Sequence, residues 1–308
     1  MDGRVHMNIR GKRAPRGLQE REIAKFRWMM LAPGLIVLLS INLLPIADTI
    51  LTSFHDFYLP RPQQKHFIGL ANYMNLFKDS RFIESIWRTV KFVLIVITIE
   101  VIFGFTIAIF LTSKLKTMQA LRGLFLVPII LTPIATAFMW RIMFSPTLGI
   151  LNYFLEVLRL PPQTWIYSEE QALASVAIVL AWCKTPFMIM VFYTGLLSIS
   201  EDVIEASLID GASAWQQLWR IKLPLIRPVF FVAILFQTVD TCKEFDLTFI
   251  LTRGGPGSSS ETLSVFTYLH SFGFLRMGYG SAAAIVMSVF ITILAYTLFR
   301  AGGIDFEN

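Results

Sequence analysis

Several signatures of catalysis are missing from this chain of 308 residues. It has no G-x-x-x-x-G-K-[ST] run, so it cradles no nucleotide phosphate of its own. It has no H-E-x-x-H pair, no paired-cysteine motif and no G-x-S-x-G turn, which removes the common metallohydrolase, zinc-site and serine-hydrolase chemistries. Cysteine is scarce: Cys183 and Cys242 both fall in long apolar stretches, so no disulfide framework is expected. The four histidines (His6, His55, His66 and His270) are scattered outside those stretches and read as solvated side chains. Charge is thin as well. Only 16% of residues are charged, against about 25% in ordinary soluble domains.

What fills the space is apolar. Hydrophobic residues make up 55% of the chain, with 27 Phe and 7 Trp, and the mean hydropathy is +0.61. A helix needs about 20 apolar residues to cross the hydrocarbon core. Six segments qualify: Trp28–Leu51, Val90–Thr112, Leu121–Phe144, Ala172–Leu197, Val229–Leu251 and Ser281–Phe299. Most have no polar face, which a soluble helical bundle would require. The expected fold is an all-α polytopic membrane helix bundle with six transmembrane helices, residues 28–301, between tails 1–27 and 302–308. The first span is too long for a signal peptide and lacks a small-residue cleavage site.

Lys and Arg set the orientation. With a cytoplasmic N-terminus, fifteen fall on the inner side, eight of them in the tail from Arg4 to Arg27, against eight outside. Both termini are therefore expected inside. The net charge of +6 then reports topology and contact with anionic headgroups, with no nucleic-acid partner needed.

Between the fourth and fifth spans, on the same inner side, lies Glu201–Pro228, with four acids in its first ten residues. Ser198 with Glu201, and Ser213 with Gln216, have capping-box spacing for two short helices. Gly211 between them suits a turn with positive φ. Trp215, Leu218 and Trp219 fall on one stripe of the second helix, which Pro224 and Pro228 are expected to end. Two short amphipathic helices of this kind describe either a docking element or a loop folded back on its own bundle.

The letters add a resemblance. Glu205-Ala206-Ser207, Asp210-Gly211-Ala212 and Ile221-Lys222-Leu223-Pro224 resemble the EAA loop of ABC importer permeases, E-A-A, D-G-A, I-x-L-P, with Ser207 at the second alanine. Leu218 stands where many members carry Phe. Phe67-Ile68-Gly69-Leu70-Ala71-Asn72-Tyr73 is similar to the F-x-G-L-x-N-Y segment of the sugar permeases. Phe245-Asp246, then Leu251-Thr252-Arg253-Gly254-Gly255-Pro256, Glu261-Thr262-Leu263-Ser264 and Gly278-Tyr279 resemble a second signature of that group, with Arg253 in place of its usual Gly.

The resemblance, to maltose-type permeases, implies a type I ABC importer permease in a bacterial cytoplasmic membrane. Its expected partners are a second permease chain, two copies of a cytoplasmic ATPase, and an extracytoplasmic solute-binding protein. ATP and Mg would be bound by the ATPase, with no cofactor in this chain. Residues 201–224 would form the coupling loop, with Glu205, Ala206, Asp210, Gly211, Ala212, Trp215, Leu218, Ile221 and Pro224 contacting the ATPase. The cargo would be a sugar or oligosaccharide.

Polar residues inside the spans mark candidate points on a transport path. Trp182, Lys184, Phe187, Tyr193, Gln237, Asp240, Thr241, Glu244 and Asp246 supply the aromatic faces and polar groups that hold saccharides. Lys184 either pairs with Asp240 or Glu244 or lines the path; the second role would suit an acidic saccharide or a sugar phosphate. Glu100, mid-way along the second span, reads as a carboxyl facing the bundle in a packing role. Gly104 and Ala108 form a small-xxx-small pair suited to close helix contact. Pro128 and Pro133 are expected to bend the third span into a helix that lines a cavity. An ion-coupled secondary transporter using Glu100, Asp240 and Glu244, or a membrane subunit that binds no cargo, are the competing readings.

Overall fold

A computed structural model describes residues 16–112 and 116–302. The basic residues Arg4, Arg10, Lys12, Arg13 and Lys114, His6, and residues 303–308 of the C-terminal tail lie outside the described residues. The chain divides into two units, 1–51 and 52–308.

The first unit is a single helix, α1 (Arg16–Ser53), whose last two residues fall in the second unit. It begins well before Trp28 and contains Pro33 and Pro45. Its apolar window is 0% buried, as suits a helix that is hydrophobic all round and solvated by lipid. Thr49 donates to the Pro45 carbonyl at 2.7 Å, and Asn42 to that of Leu38 at 2.7 Å, so polar side chains in this helix bond its own backbone.

The second unit opens with a two-stranded antiparallel ribbon, β1 (His55–Asp56) against β2 (His66–Phe67). Helix α2 (Ala71–Lys78) follows. Asn72 is buried, and its amide donates to the carbonyls of Ser53 at 2.8 Å and His55 at 3.0 Å. Tyr73 bonds Ser53 Oγ at 2.7 Å, and Gly69 takes φ +57°. The Phe67–Tyr73 segment thus closes the turn that follows the first span.

Helix α3 (Ser80–Leu111) is capped by Asp79, which accepts from the Arg81 N–H at 2.9 Å. Its main partner is α7 (Ala172–Leu197). Gly104 and Ala108 are both buried against it, and a Cβ on Gly104 would lie 2.8 Å from Cβ of Met188. Phe92, Val96, Val176 and Leu180 form one core cluster; Met188, Phe192 and Ile226 belong to another.

The third span is not the single bent helix expected. It divides into α4 (Lys116–Ile130) and α5 (Pro133–Met143), with Gly123–Ile130 of α4 at 103° to α5. Thr132 is the reason the break is tolerated: it caps α5 by accepting from the Ala135 N–H, and Pro133 at the first position has no N–H to satisfy. After α6 (Ile150–Val157) and α7, the chain makes α8 (Glu201–Ile209), α9 (Ala214–Gln217) and α10 (Leu223–Leu225). The fifth span, α11 (Arg227–Cys242), stops before the expected Leu251. A separate α12 (Asp246–Thr252) follows, with Glu244 accepting from the Leu247 N–H at 3.0 Å. The last elements are α13 (Leu263–Tyr268) and the span α14 (Met277–Gly302). Among the described residues four helices are long and apolar enough to cross a membrane, and six if each bent pair is one span.

The histidine reading needs correcting at one position. His66 is exposed and His55 half-buried, but His270 is only 7% exposed. It sits on the π-helical turn Leu269–Gly273 after α13, and its ring packs on Phe266, Tyr279 and Phe274 at centroid distances of 4.2, 5.0 and 5.1 Å. Neither ring nitrogen has a hydrogen-bond partner. Burial, then Arg81 and Arg276, push its pKa down to about 4. The folded state therefore holds His270 neutral, whereas the unfolded chain protonates it near its ordinary value of about 6.5. The sign follows: the stabilisation is present above about pH 6.5 and lost as pH falls towards 4, on the order of 3 kcal/mol in full.

Two outcomes are expected. Gly104→Val should lower the thermal stability of the detergent-purified protein, with a cost of about 1–3 kcal/mol for overpacking, while Gly123→Val, whose Cβ meets nothing within 4 Å, should not. A melting series from pH 7 to 4 should show a steeper decline for the parent than for His270→Leu. Equal slopes would remove His270 from the acid response.

Candidate functional site

Residues 201–224 fold as the sequence pattern suggests, with two changes. Ser200, not Ser198, caps α8, accepting from the Asp202 N–H at 3.2 Å; Ser198 ends α7 instead. Gly211 adopts φ +75°, and the turn closes with Gly211 N–H to Leu208 O at 3.0 Å and Ala212 N–H to Ser207 O at 2.9 Å. Ser213 and Gln216 form the expected capping box at 2.8 and 3.3 Å. Pro224 does not end the second helix. The chain passes from α9 through a π-helical turn, Leu218–Lys222, into α10, and the break falls at Ile226. A proline inside a helix removes one donor, and widening the preceding turn accommodates it.

The surface of this element exposes large apolar side chains. Trp215 is 68% exposed, Trp219 50% and Ile209 86%, and the two indoles meet edge to face at 5.4 Å. Glu205, Ala206, Asp210 and Pro224 are exposed, while Ala212, Leu218 and Ile221 are half-buried. Ser207 is buried and donates to the Ile204 carbonyl at 2.7 Å, so its departure from alanine faces inward. A loop folded back on its own bundle would cover Trp215 and Trp219; here they are open.

The second site is a cleft of about 300 Å³ between the broken third span, α7 and α11. Lys184, Phe187, Gln237, Asp240 and Glu244 line it, as do Pro128, Leu131, Pro133, Thr136 and Cys183. Lys184 Nζ donates to Asp240 Oδ2 at 2.5 Å, with each side chain about one third exposed (31% and 35%). Of its two candidate partners, Asp240 is therefore the one in contact. Phe187 and Phe236 stack obliquely across the cleft wall, centroids 5.4 Å apart. Gln237 Nε2 donates to Glu100 Oε1 at 3.0 Å, which confirms Glu100 as a bundle-facing carboxyl.

Four of the residues proposed for the path are elsewhere. Trp182 turns to Trp140 of α5, 5.6 Å between centroids, and lines a separate apolar cavity. Tyr193 packs beside the Phe192 and Phe230 cluster. Thr241 is buried and does not line the cleft, and Asp246 is exposed at the start of α12. Pro128 and Pro133 line the cleft, as expected of a bent third span lining a cavity, whereas Leu131 and Thr136 of the same wall were not singled out.

The glycine-rich loop after α12 is braced from below. Arg253 takes φ +54° at the position where glycine is usual, and Gly254 takes +87°. A Cβ on Gly254 would approach Val265 at 3.2 Å and Glu261 at 3.3 Å. Glu261 is 1% exposed and accepts from Arg81 Nε at 3.1 Å and Nη2 at 2.5 Å, so its charge is matched in place. Thr89 Oγ1 accepts from the Leu263 N–H at 2.8 Å and ties the loop to α3.

This architecture, a broken-helix bundle with an exposed two-helix element between its fourth and fifth spans, is that of a membrane-embedded transport subunit. Residues 80–302 match the family described as "Binding-protein-dependent transport system inner membrane component", and the chain belongs to it. The trehalose/maltose transport system permease protein MalF of Thermococcus litoralis is 34% identical over 91% of this chain and 94% of its own length. The sulfoquinovosyl glycerol transport system permease protein SmoG of Agrobacterium fabrum is 31% identical over 84% of each. A solved chain of a bacterial ABC transporter involved in the import of the acidic polysaccharide alginate superposes with TM-score 0.81, covering 94% of this chain and 98% of that one. At 19% identity that likeness is one of fold, the type I ABC importer permease fold.

Proposed function

We propose that this chain is the transmembrane permease subunit of an ATP-driven importer that carries a sugar or oligosaccharide from an extracytoplasmic binding protein into the cytoplasm. The observation that supports this best is one of connectivity. The exposed α8–α9 element joins α7 to α11, and these two helices carry Lys184 and Asp240, which meet at the cleft. A displacement of the element is passed directly to both cleft walls, through Ser198–Ser200 on one side and the single hinge residue Ile226 on the other.

In this reading the element docks on a partner ATPase, which binds ATP and Mg. Trp215, Trp219 and Ile209 supply its apolar contact, and Glu205, Asp210, Ala206, Gly211 and Ala212 shape the turn. Leu218, Ile221 and Pro224 support it from behind. A second permease chain completes the path, and the solute-binding protein delivers cargo to the far side. In this reading the termini face the cytoplasm, which the excess of Lys and Arg on that side supports. Closure of the ATPase dimer would rock α7 against α11. Cargo and binding protein bias that motion only by binding its two states unequally.

The cargo reading rests on Lys184. Its charge is already met by Asp240, so the cleft presents a matched donor and acceptor beside two aromatic faces, which suits a neutral saccharide. The relative named for trehalose/maltose transport supports a neutral cargo, while the one named for sulfoquinovosyl glycerol, a sulfonated sugar, supports the acidic alternative.

Two experiments test the proposal. Proline cannot adopt the φ of +75° at Gly211, and no neighbour lies within 4 Å of its Cβ, so Gly211→Pro acts on the turn alone. Recovery of ATPase on the tagged permease should fall roughly tenfold or more, about 1.4 kcal/mol, with Gly211→Asn close to the parent. Full recovery with Gly211→Pro would exclude this element as the docking site. The second is uptake by Lys184→Gln. For a neutral cargo the loss should appear as poor expression, because Asp240 is left unpaired, and Lys184→Gln with Asp240→Asn should recover it. A well-expressed Lys184→Gln that loses uptake while the binding protein still captures solute would instead mark an acidic cargo.

A further inference from the structure

Glu100 is the most deeply buried acid of the spans, 0% exposed, yet it does not line the cleft. Its Oε1 accepts from the Gln237 amide at 3.0 Å, while its Oε2 is buried with no partner. Gln237 is itself 1% exposed and does line the cleft. A carboxyl in the middle of a span is a costly way to fill space, because an apolar side chain of similar volume would pack there without an orphaned oxygen. What this carboxyl does that Leu would not is choose which end of the Gln237 amide faces α3.

Resting on the importer reading above, we infer that Glu100 is a positioning residue that holds Gln237 as a fixed hydrogen-bonding contact of the cleft, and so sets which saccharide hydroxyl pattern passes. With the amide nitrogen drawn onto Glu100, the carbonyl oxygen is the end left for cargo, an acceptor for a sugar hydroxyl. Gln237 and Asp240 are three residues apart and share one face of α11, so the same helix is tied to α3 by Gln237 and to α7 by Asp240. The cleft therefore offers an acceptor at Gln237 and a donor and acceptor at Lys184 and Asp240, all at set spacing. A site built to bond a hydroxyl rejects an isomer that places it elsewhere, because its own polar group is then left unpaired. Cut loose from Glu100, the amide would rotate and that selection would blur.

The test uses the whole importer in proteoliposomes, with ATPase, second permease and binding protein, and reads the ratio of saturated uptake rates for trehalose and maltose. Glu100→Ala should move that ratio by about fivefold or more, whereas Glu100→Gln, which keeps a carbonyl acceptor for Gln237, should hold it within about twofold. Both rates falling together with the ratio unchanged would mean a structural role only and overturn the inference. So would an effect of Glu100→Gln equal to that of Glu100→Ala, since charge rather than the acceptor would then be at work. If the parent carries neither sugar, the cargo reading fails, and the inference is judged on a readout that needs no cargo. Cys183 lines the same cleft, and in a Cys242→Ala background its alkylation by N-ethylmaleimide reports the state of that wall. The rate should change about threefold or more in Glu100→Ala and return in Glu100→Gln, as expected if the amide alone has moved. An unchanged rate in Glu100→Ala would overturn the inference.

Discussion

The hydrocarbon core of a bilayer offers no water, so every backbone group and every charge placed in it must find its partner within the protein. Most of this chain's architecture follows from that constraint. Long apolar runs become helices because a helix satisfies its own backbone. Where a helix stops inside the apolar region, a side chain stands ready to replace the missing bonds: Thr132 at the break of the third span and Glu244 at the start of α12. The charges obey the same rule. Lys184 meets Asp240, and one oxygen of Glu100 takes the amide of Gln237 while the other stays unpaired; outside the spans, buried Glu261 is met by Arg81.

Those polar contacts also decide which helices move together. The α3–α7 interface is built from small and aliphatic side chains with Phe92 and Phe192, and it is the most extensive contact between helices among the described residues. By contrast α11 meets α3 and α7 through two polar bonds on one face, and it connects to the exposed element across one residue, Ile226. Packed apolar surfaces resist sliding at every point, whereas a hydrogen bond can exchange its partner for a ligand. Near the docking element α11 also packs on both helices through Phe230, Ala233 and Ile234, so its apolar end and its polar, cleft-facing end are held by different means.

Motif and geometry separate cleanly at the glycine-rich loop. Its letters read as a signature, but its physical content is support: two positive-φ residues in succession, a Cβ-free approach to Glu261, and the ion pair of buried Glu261 with part-exposed Arg81. Arg253 at φ +54° shows that a left-handed position tolerates a side chain when that side chain points to solvent, at a cost of about 1–2 kcal/mol. The Phe67–Tyr73 run is similar, since Asn72 serves as a cap for two carbonyls after the first span.

The sequence by itself determined what depends on neighbours along the chain. The spans, the Ser213–Gln216 capping box, the turn at Gly211 and the close contact at Gly104 all rest on periodicity, spacing or the absence of a Cβ, and all were legible. The tertiary structure alone decided what depends on distance in space. It chose Asp240 over Glu244 for Lys184, turned Trp182 and Tyr193 away from the cleft, and buried His270 among three rings. It also opened the third span to 103°, where Pro128 and Pro133 indicated only a bend, and carried the helix past Pro224 on a π-helical turn. The physical reason is the same throughout. A proline states that one hydrogen bond is missing, but how far the chain then turns, and which side chain or helix fills the gap, is set by packing against residues far away in sequence.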